Sequence, residues 1–173
     1  RAGLRGTCTA DVCVIGGGLA GLTSALELAR RNKKVVLREA KQLAWGASGR
    51  NGGFVSNGFA EGIENVSARV GLDAARALYS LSRHGSEYVR REIETGDASI
   101  KMGEAWIVAL RHRDNGDLRS YLDVMQRDYN EDLQFLSPEQ TRGNLNSPRF
   151  FESIQNPRAL PCNPLLSACM RAP

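Results

Sequence analysis

DVCVIGGGLAGL, residues 11–22, is the stretch that decides the fold of this chain. Its first five residues form a mostly apolar run that ends at glycine, which is typical of a buried strand in a parallel sheet. Residues 19–31 predict a helix, and residues 34–39 (KVVLRE) predict a second strand. Asn32 follows the helix and tolerates the left-handed conformation of a helix end. The apolar positions at helical spacing are Leu22, Ala25, Leu26 and Ala29. This order of elements predicts a right-handed crossover between two parallel strands.

Residues 16–21 form a GxGxxG pattern between the first strand and the helix. Gly16 permits a tight turn, Gly18 lets a pyrophosphate approach the backbone, and Gly21 lets the helix pack closely on the strand. The amides and the positive dipole end of the helix favour an anion at this point. Glu39 lies 18 residues after Gly21, where a carboxylate accepts hydrogen bonds from ribose hydroxyls. The pattern predicts a dinucleotide site; the alternative is glycines that only turn the chain beside a surface glutamate.

A second glycine-rich segment, GASGRNGG at residues 46–53, follows the second strand. Glycine loses more backbone freedom on folding than any other residue, so this composition indicates a backbone that another group approaches closely. Ser48 can offer a hydroxyl and an amide to a phosphate, Arg50 can offer a cation, and Asn51 can donate or accept a hydrogen bond. The alternative is a flexible surface loop whose arginine points to water.

The composition is that of an ordinary globular protein. Of the 173 residues, 42% are hydrophobic and 24% are charged, and the formal net charge is +4. The basic residues are spread along the chain in no run longer than two, which argues against a nucleic-acid partner. The apolar stretch 12–29 contains three consecutive glycines and Glu27, so we expect no transmembrane segment.

The cysteines do not form a metal-binding pattern. They include no CxxC pair and lie far from both histidines, so we expect free thiols, a cytoplasmic location and no metal site. The four cysteines are Cys8, Cys13, Cys162 and Cys169. His84 lies on a polar helix face, and we expect it to be exposed rather than catalytic.

The rest of the chain predicts a mixture of helices and strands. Predicted helices cover residues 61–70, 73–95, 116–130 and 163–170, with one more that starts at Ser137. Predicted strands cover residues 99–112, as a strand or hairpin, and residues 149–155. The long helix has apolar residues along one predicted face, namely Leu78, Leu81, Tyr88, Val89 and Ile93.

Taken together, the two glycine-rich segments resemble a known family. The spacing from Gly16 to Glu39 is similar to the FAD fingerprint of glutathione-reductase-type and D-amino-acid-oxidase-type flavoproteins, with Asn32 where that pattern has glycine. With WGASGRNGGFVSNG (45–58), the chain resembles FAD-dependent amine and amino-acid oxidoreductases of the D-amino-acid oxidase, glycine oxidase and gamma-glutamylputrescine oxidase type. The segments MGEAWIVAL (102–110) and RALPCNPLL (158–166) are also similar, so the resemblance covers nearly all of residues 10–168.

The resemblance implies that FAD is the cofactor and that a small-molecule amine or amino acid is the substrate. Hydride would leave the carbon next to the amine nitrogen, and the resulting imine would hydrolyse. The loop after the second strand would run beneath the flavin and along the pyrophosphate, with Arg50 near a phosphate or the flavin and Asn51 at the flavin edge. Trp45 would cover the cofactor or pack within the protein. The cofactor-binding residues implied are Gly16, Gly18, Leu19, Ala20, Gly21, Glu39, Ala40, Ser48, Gly49, Arg50, Asn51, Gly52 and Gly53; no catalytic residue is implied.

The same resemblance predicts the domain organisation. We expect an α/β Rossmann-like FAD-binding domain in residues 10–95, part of an α+β substrate domain in residues 96–160, and the return to the FAD domain in residues 161–173. Because members of the family are more than twice as long, we expect an N-terminal part whose C-terminal half is missing, with exposed apolar faces and no turnover alone. Two alternatives stay open: an NAD-dependent dehydrogenase, which shares the GxGxxG pattern and Glu39, and a truncated, non-catalytic nucleotide-binding product.

Overall fold

The computed structural model describes residues 6–95, 105–108 and 115–164. Contacts divide these residues into two compact units. The first unit contains residues 6–53 together with 163–164, and the second contains residues 54–162 within the described ranges. Most of the predicted helix at 163–170 and most of the predicted strand at 99–112 lie outside the described residues, as does Cys169.

The first unit is built from the predicted strand, helix and strand. Strand β1 covers Val12–Ile15, helix α1 covers Leu19–Arg30 and strand β2 covers Val35–Arg38. The two strands pair in parallel, in a register that runs from Val12 opposite Val35 to Ile15 opposite Arg38. Asn32 has a φ of 58°, so the predicted left-handed residue after the helix is confirmed.

Close packing of α1 on the turn before it depends on two glycines. Gly16 has a φ of +103°, a conformation that L side chains rarely adopt. A Cβ added at Gly21 would clash with the carbonyl oxygen of Gly16 and would lie 3.4 Å from a methyl group of Val14. The helix therefore starts directly against the end of β1, and the predicted roles of Gly16 and Gly21 in the fold are confirmed.

A small core fills the space beneath α1. Leu22 is fully buried and clusters with Ala44, while Leu37 and Leu43 pack against the pair. Ile15, at the end of β1, is 87% exposed. Parallel strands are normally covered on both faces, so within the described part of the chain this strand end is uncovered.

The second unit combines four helices with two antiparallel sheets. Helix α2 covers Ile63–Val70, α3 covers Leu72–Glu94, α4 covers Asn115–Tyr129 and α5 covers Pro138–Leu145. Strand β3 (Phe54–Val55) pairs with β7 (Leu160–Pro161). Strands β4 (Ala105–Val108), β5 (Gln134–Leu136) and β6 (Ser153–Asn156) form a sheet in the order β4-β6-β5.

Helices α2, α3 and α4 enclose the main core of the second unit. Its buried residues are Ile63, Ala75, Tyr79, Leu118, Met125, Tyr129, Leu133 and Ile154. The rings of Tyr79 and Tyr129 lie 4.9 Å apart and tilted, a favourable aromatic arrangement. Ser137 begins α5 with a complete capping box to Gln140, so the predicted helix start is confirmed.

The buried face of α3 differs from the predicted face. Leu78 and Leu81 are 38% and 67% exposed, whereas Ala75, Tyr79 and Ile93 are buried. The helix carries apolar side chains on more than one side, and the contacts with α2 and α4 select the side that contains Tyr79. The prediction was therefore right at Ile93 and wrong at Leu78 and Leu81, because periodicity alone does not identify the packing partner.

Helices α2 and α3 pack with the second unit, although the sequence placed them in a first domain of residues 10–95. The assignment of residues 10–95, 96–160 and 161–173 to cofactor and substrate domains stays a prediction. The short strands β3, β5 and β7 were not predicted, since each has only two or three residues and too little alternation for a pattern. Within the described ranges, no helix combines the length and the apolar character needed to cross a membrane.

We expect Gly21→Ala to destabilise the first unit by about 1–3 kcal/mol, because the added methyl group has no space beside the Gly16 carbonyl. Gly85→Ala in α3 is the matched control, since a Cβ there meets no atom within 4 Å. It should stabilise its helix by about 0.5–1 kcal/mol. Thermal unfolding followed by circular dichroism measures both changes; equal effects of the two variants would contradict the packing argument.

Candidate functional site

The structure brings the two glycine-rich segments together in the first unit. We call the set formed by residues 16–21, residues 46–53 and Glu39 the glycine cradle. The Leu19 amide donates a 2.9 Å hydrogen bond to Ser48 Oγ. A Cβ added at Gly18 would lie 3.0 Å from the same oxygen. The loop that follows β2 therefore lies against the start of α1, as the sequence predicted.

The start of α1 keeps the properties of an anion site. Its N-cap is Gly18, which has no side chain to cap the helix, and the first turn contains no acidic residue. The first amides of a helix have no partner within the helix, and its dipole is positive at this end. Ser48 satisfies the Leu19 amide from 29 residues away. Leu19 and Ala20 are both exposed, so a phosphate group can reach this backbone.

Glu39 is held beside the same turn by backbone amides. Its Oε2 accepts a 2.7 Å hydrogen bond from the Gly17 amide, and its Oε1 accepts one of 2.8 Å from the Lys41 amide. The Gly17 bond, followed by the Lys41 bond, lowers the pKa of the Glu39 carboxyl below its ordinary value. A carboxylate offers about four acceptor positions, so these two bonds leave capacity for a ribose hydroxyl.

Gly17 has a structural role that the sequence analysis did not assign. Its amide holds Glu39, and its carbonyl accepts a 2.8 Å hydrogen bond from the Ala44 amide. A Cβ at this buried position would lie 2.7 Å from Leu43 Cδ2 and 3.2 Å from the Glu39 side chain. The GxGxxG pattern leaves this position open, so the sequence carried no signal for it.

Asn51 shapes the loop from inside. Its side-chain amide donates to the carbonyl oxygens of Ala47 and Ser48, at 3.0 and 3.2 Å. Its Oδ1 accepts a 2.7 Å hydrogen bond from the Gly53 amide. These bonds close a short 3-10 turn over Ala47–Gly49, and Gly53 follows with a φ of 73°. In this structure the side chain predicted to meet a flavin edge thus bonds to the loop backbone.

Arg50 stacks on Trp45. Its guanidinium carbon lies 4.1 Å from the centroid of a Trp45 ring, and Lys41 Nζ lies 5.0 Å from it. Such cation–π contacts contribute about 0.5–1 kcal/mol at exposed sites, and Trp45 is 43% exposed. Trp45 therefore anchors the arginine at the edge of the cradle, a pairing that the sequence analysis did not anticipate. His84 lies elsewhere, exposed on α3.

The residues present fit a dinucleotide. Helix-start amides suit a pyrophosphate, and a carboxylate at the end of β2 suits a ribose. The predicted cofactor residues divide among three places: Gly16, Gly18, Leu19, Ala20 and Gly21 at the helix start; Glu39 and Ala40 after β2; and Ser48, Gly49, Arg50, Asn51, Gly52 and Gly53 in the loop. Their contacts with a cofactor stay a prediction.

A known family model matches nearly the whole chain. The model described as FAD dependent oxidoreductase matches residues 11–170. Gamma-glutamylputrescine oxidoreductase of Escherichia coli (strain K12) is 35% identical to this chain over 149 residues, which are 85% of the chain and 35% of that relative. The chain therefore spans about a third of the length of this relative.

Solved structures support the same fold. The structure of L-amino acid deaminase from Proteus vulgaris, with its specific insertion sequence deleted, has a TM-score of 0.73 at 17% identity and covers 99% of this chain and 44% of its own. L-alpha-glycerophosphate oxidase from Mycoplasma pneumoniae, solved with FAD bound, has a TM-score of 0.66 at 22% identity. The match covers 96% of this chain and 42% of the oxidase chain. At these identities the likeness concerns the fold.

We expect Asn51→Ala to loosen the loop, because three hydrogen bonds to backbone groups are lost. Trypsin cleavage after Arg50 should become about tenfold faster, the factor that corresponds to about 1.4 kcal/mol of easier local opening. Mass spectrometry of a time course measures the rate. Cleavage after Arg31, which lies outside the loop, is the internal control; an unchanged rate after Arg50 would show that Asn51 does not hold the loop.

The lowered pKa of Glu39 has a consequence for acid stability. A carboxyl with a lowered pKa in the folded state stabilises the fold above its ordinary value of 4.5, and this contribution is lost as the pH falls below that value. We therefore expect the melting temperature of Glu39→Gln to fall less steeply than that of the wild type between about pH 5 and pH 3. Identical slopes in thermal scans across this range would contradict the assigned hydrogen bonds.

Proposed function

Because the chain belongs to the family of FAD-dependent oxidoreductases, we propose that it is part of an enzyme that oxidises the CH–NH or CH–NH2 group of an amine or amino acid. The amine class is suggested by the gamma-glutamylputrescine oxidoreductase, which shares 35% identity over most of this chain. Since the chain spans about a third of that relative, the reaction and its substrate are proposed for the whole protein, and no described residue is assigned to the substrate.

The hydrogen bond from the Leu19 amide to Ser48 Oγ is the observation that carries the proposal. It holds a glycine-rich loop against the first turn of α1, where the loop would add a hydroxyl and backbone amides to helix amides that suit a phosphate. An NAD-dependent dehydrogenase would share α1 and Glu39, but its cofactor needs no such loop. The cradle together with the family membership therefore favours FAD over NAD.

FAD, when bound, supplies the acceptor for the hydride, and the protein supplies binding and orientation. We propose that the backbone of Gly18, Leu19 and Ala20 binds the pyrophosphate and that Ser48 contacts the same group. Glu39 would accept a hydrogen bond from a ribose hydroxyl, since its amide bonds keep it ionised and oriented. Arg50, held by Trp45, would place a positive charge near the phosphates.

Two parts of the proposal concern the protein in its cell. We propose small amines or amino acids as its partners, with no nucleic acid, because the basic residues form no continuous run. A cytoplasmic location stays a prediction from the cysteine pattern; of the described residues, Cys8, Cys13 and Cys162 form no disulfide bond.

The proposal is tested on the protein in its natural length. We expect the purified protein to show flavin absorbance and to reduce an electron-acceptor dye with an amine from a panel of gamma-glutamylputrescine, simple amines and amino acids. Glycerol 3-phosphate is the control substrate, because one fold relative is a glycerophosphate oxidase. A colourless protein that binds NAD would overturn the FAD assignment, and oxidation of the control alone would overturn the amine assignment.

We expect Glu39→Ala to weaken FAD binding by roughly ten- to a hundredfold, because a hydrogen bond between ribose and a charged group is lost. Fluorescence titration of the flavin-stripped protein measures the affinity. Glu61→Ala is the matched control, since Glu61 pairs with Arg69 in the second unit. Unchanged FAD affinity in Glu39→Ala, with the control also unchanged, would remove Glu39 from the site.

A further inference from the structure

An arginine-rich cleft lies in the second unit, on one side of α3. Its volume is about 260 Å³, and it is lined by Arg83, Ser86, Glu87, Arg90, Arg91 and Arg158. The five residues from α3 recur at intervals of three and four, so they share one face of the helix. Arg158 comes from the connection between β6 and β7. We call this site the arginine cleft.

Except at Arg83, positive charge in the arginine cleft is only loosely compensated. Of the described residues in the lining, Glu87 is the one carboxylate, and its Oε1 lies 3.8 Å from Arg158 Nη1. Arg90 Nη1 lies 3.9 Å from Glu94 Oε1. Both distances exceed the length of a hydrogen bond, and exposed ion pairs of this kind contribute little to stability. None of the ion pairs within the described ranges includes Arg91.

Arg83 is fixed at the inner side of its helix. Its Nη2 donates a 2.6 Å hydrogen bond to the Tyr129 carbonyl and lies 2.8 Å from Glu131 Oε1. Glu131 is buried, and its Oε1 also accepts from Asn57. The Nε of Arg83 is buried and has no hydrogen-bond partner among the described residues. The Oε2 of Glu131 is likewise buried without a partner, so the charge of Arg83 is matched within the protein and its contribution to the cleft is a fixed position.

Arg90 is held in place as well. Its Nη2 donates a 2.6 Å hydrogen bond to the Arg158 carbonyl, which ties α3 to the β6–β7 connection. The Arg158 amide and the Ala159 amide donate to Asn156 Oδ1, so the connection has a defined turn. The guanidinium groups therefore stand on positions that the fold fixes, rather than on a free loop.

The chemistry of the lining selects small anions. A guanidinium group presents a flat fork of donors that matches the oxygens of a phosphate or a carboxylate. A volume of about 260 Å³ is below the usual range of sites for drug-sized ligands. Among the described residues, no aromatic side chain lines the arginine cleft, so a nucleobase would find no stacking partner there.

We propose that the arginine cleft is a binding site for a small anion that carries a phosphate or carboxylate group. It uses none of the residues of the glycine cradle. The proposal is independent of the amine-oxidising function, and the ligand would contact Arg91 and Arg158 at the exposed side and Arg83 at the buried side.

Calorimetric titration of the FAD-loaded protein in its natural length tests the proposal. Inorganic phosphate and succinate are the two probes, each added in a low-salt chloride buffer. We expect saturable binding of at least one probe. The probe that binds shows whether the cleft takes a phosphate or a carboxylate. Arg91→Gln and Arg158→Gln should each weaken binding about tenfold or more. Arg69→Gln on α2 is the matched control, because it removes the same charge from an exposed pair with Glu61.

The three variants distinguish the possible outcomes. Weaker anion binding in the two cleft variants, with binding by Arg69→Gln unchanged, supports the site. Absence of saturable heat with both probes overturns it, as does equal weakening by Arg69→Gln, which would indicate an effect of net charge only. Flavin absorbance per chain should stay constant in all three variants, so failure of the anion site is distinguishable from failure of the flavin assignment.

Discussion

Everything at the glycine cradle depends on how closely α1 approaches the turn at its own start. The carbonyl oxygen of Gly16 occupies the place where a side chain at Gly21 would be, so the helix begins directly after β1. This approach presents the first amides of α1 at one end of the parallel strand pair. Glu39, at the end of β2, then reaches the Gly17 amide because β1 and β2 are paired in register. A larger residue at position 21 would separate the elements that build the site.

The cradle is organised largely by its own hydrogen bonds. Ser48 binds the Leu19 amide, Glu39 binds the Gly17 amide, and Asn51 binds carbonyl groups within the 3-10 turn and the Gly53 amide after it. A site held in this way loses less entropy when it binds a ligand than a free loop would. It follows that glycine content here does not mean disorder, since side chains at three positions fix the backbone between the glycines.

The second unit is stabilised differently, by a hydrophobic core and by a charge pair whose carboxylate is buried. Glu131 and Arg83 lie 2.8 Å apart, and Asn57 bridges the same carboxylate and the Tyr79 hydroxyl. Burial, together with the nearby Glu131 carboxylate, raises the pKa of Tyr79 above its ordinary value, so this phenol stays protonated. Removing one partner of a buried pair is strongly unfavourable because the other charge stays unpaired. The pair fixes Arg83, and through it one wall of the arginine cleft.

The sequence by itself determined the elements whose signals are local. The apolar run before Gly16, the helical spacing through Leu22 and the capping residues at Ser137 specify strand, helix and helix start from neighbouring residues alone. The spacing from Gly16 to Glu39 likewise predicted that residues 16–21 and Glu39 lie together, because both belong to one crossover unit. Tertiary structure decided the rest. The stacking of Arg50 on Trp45, the exposed positions of Leu78 and Leu81, and the meeting of Arg83, Arg91 and Arg158 in one cleft depend on which elements pack together. Packing joins residues far apart in the chain, and no local pattern records those partners.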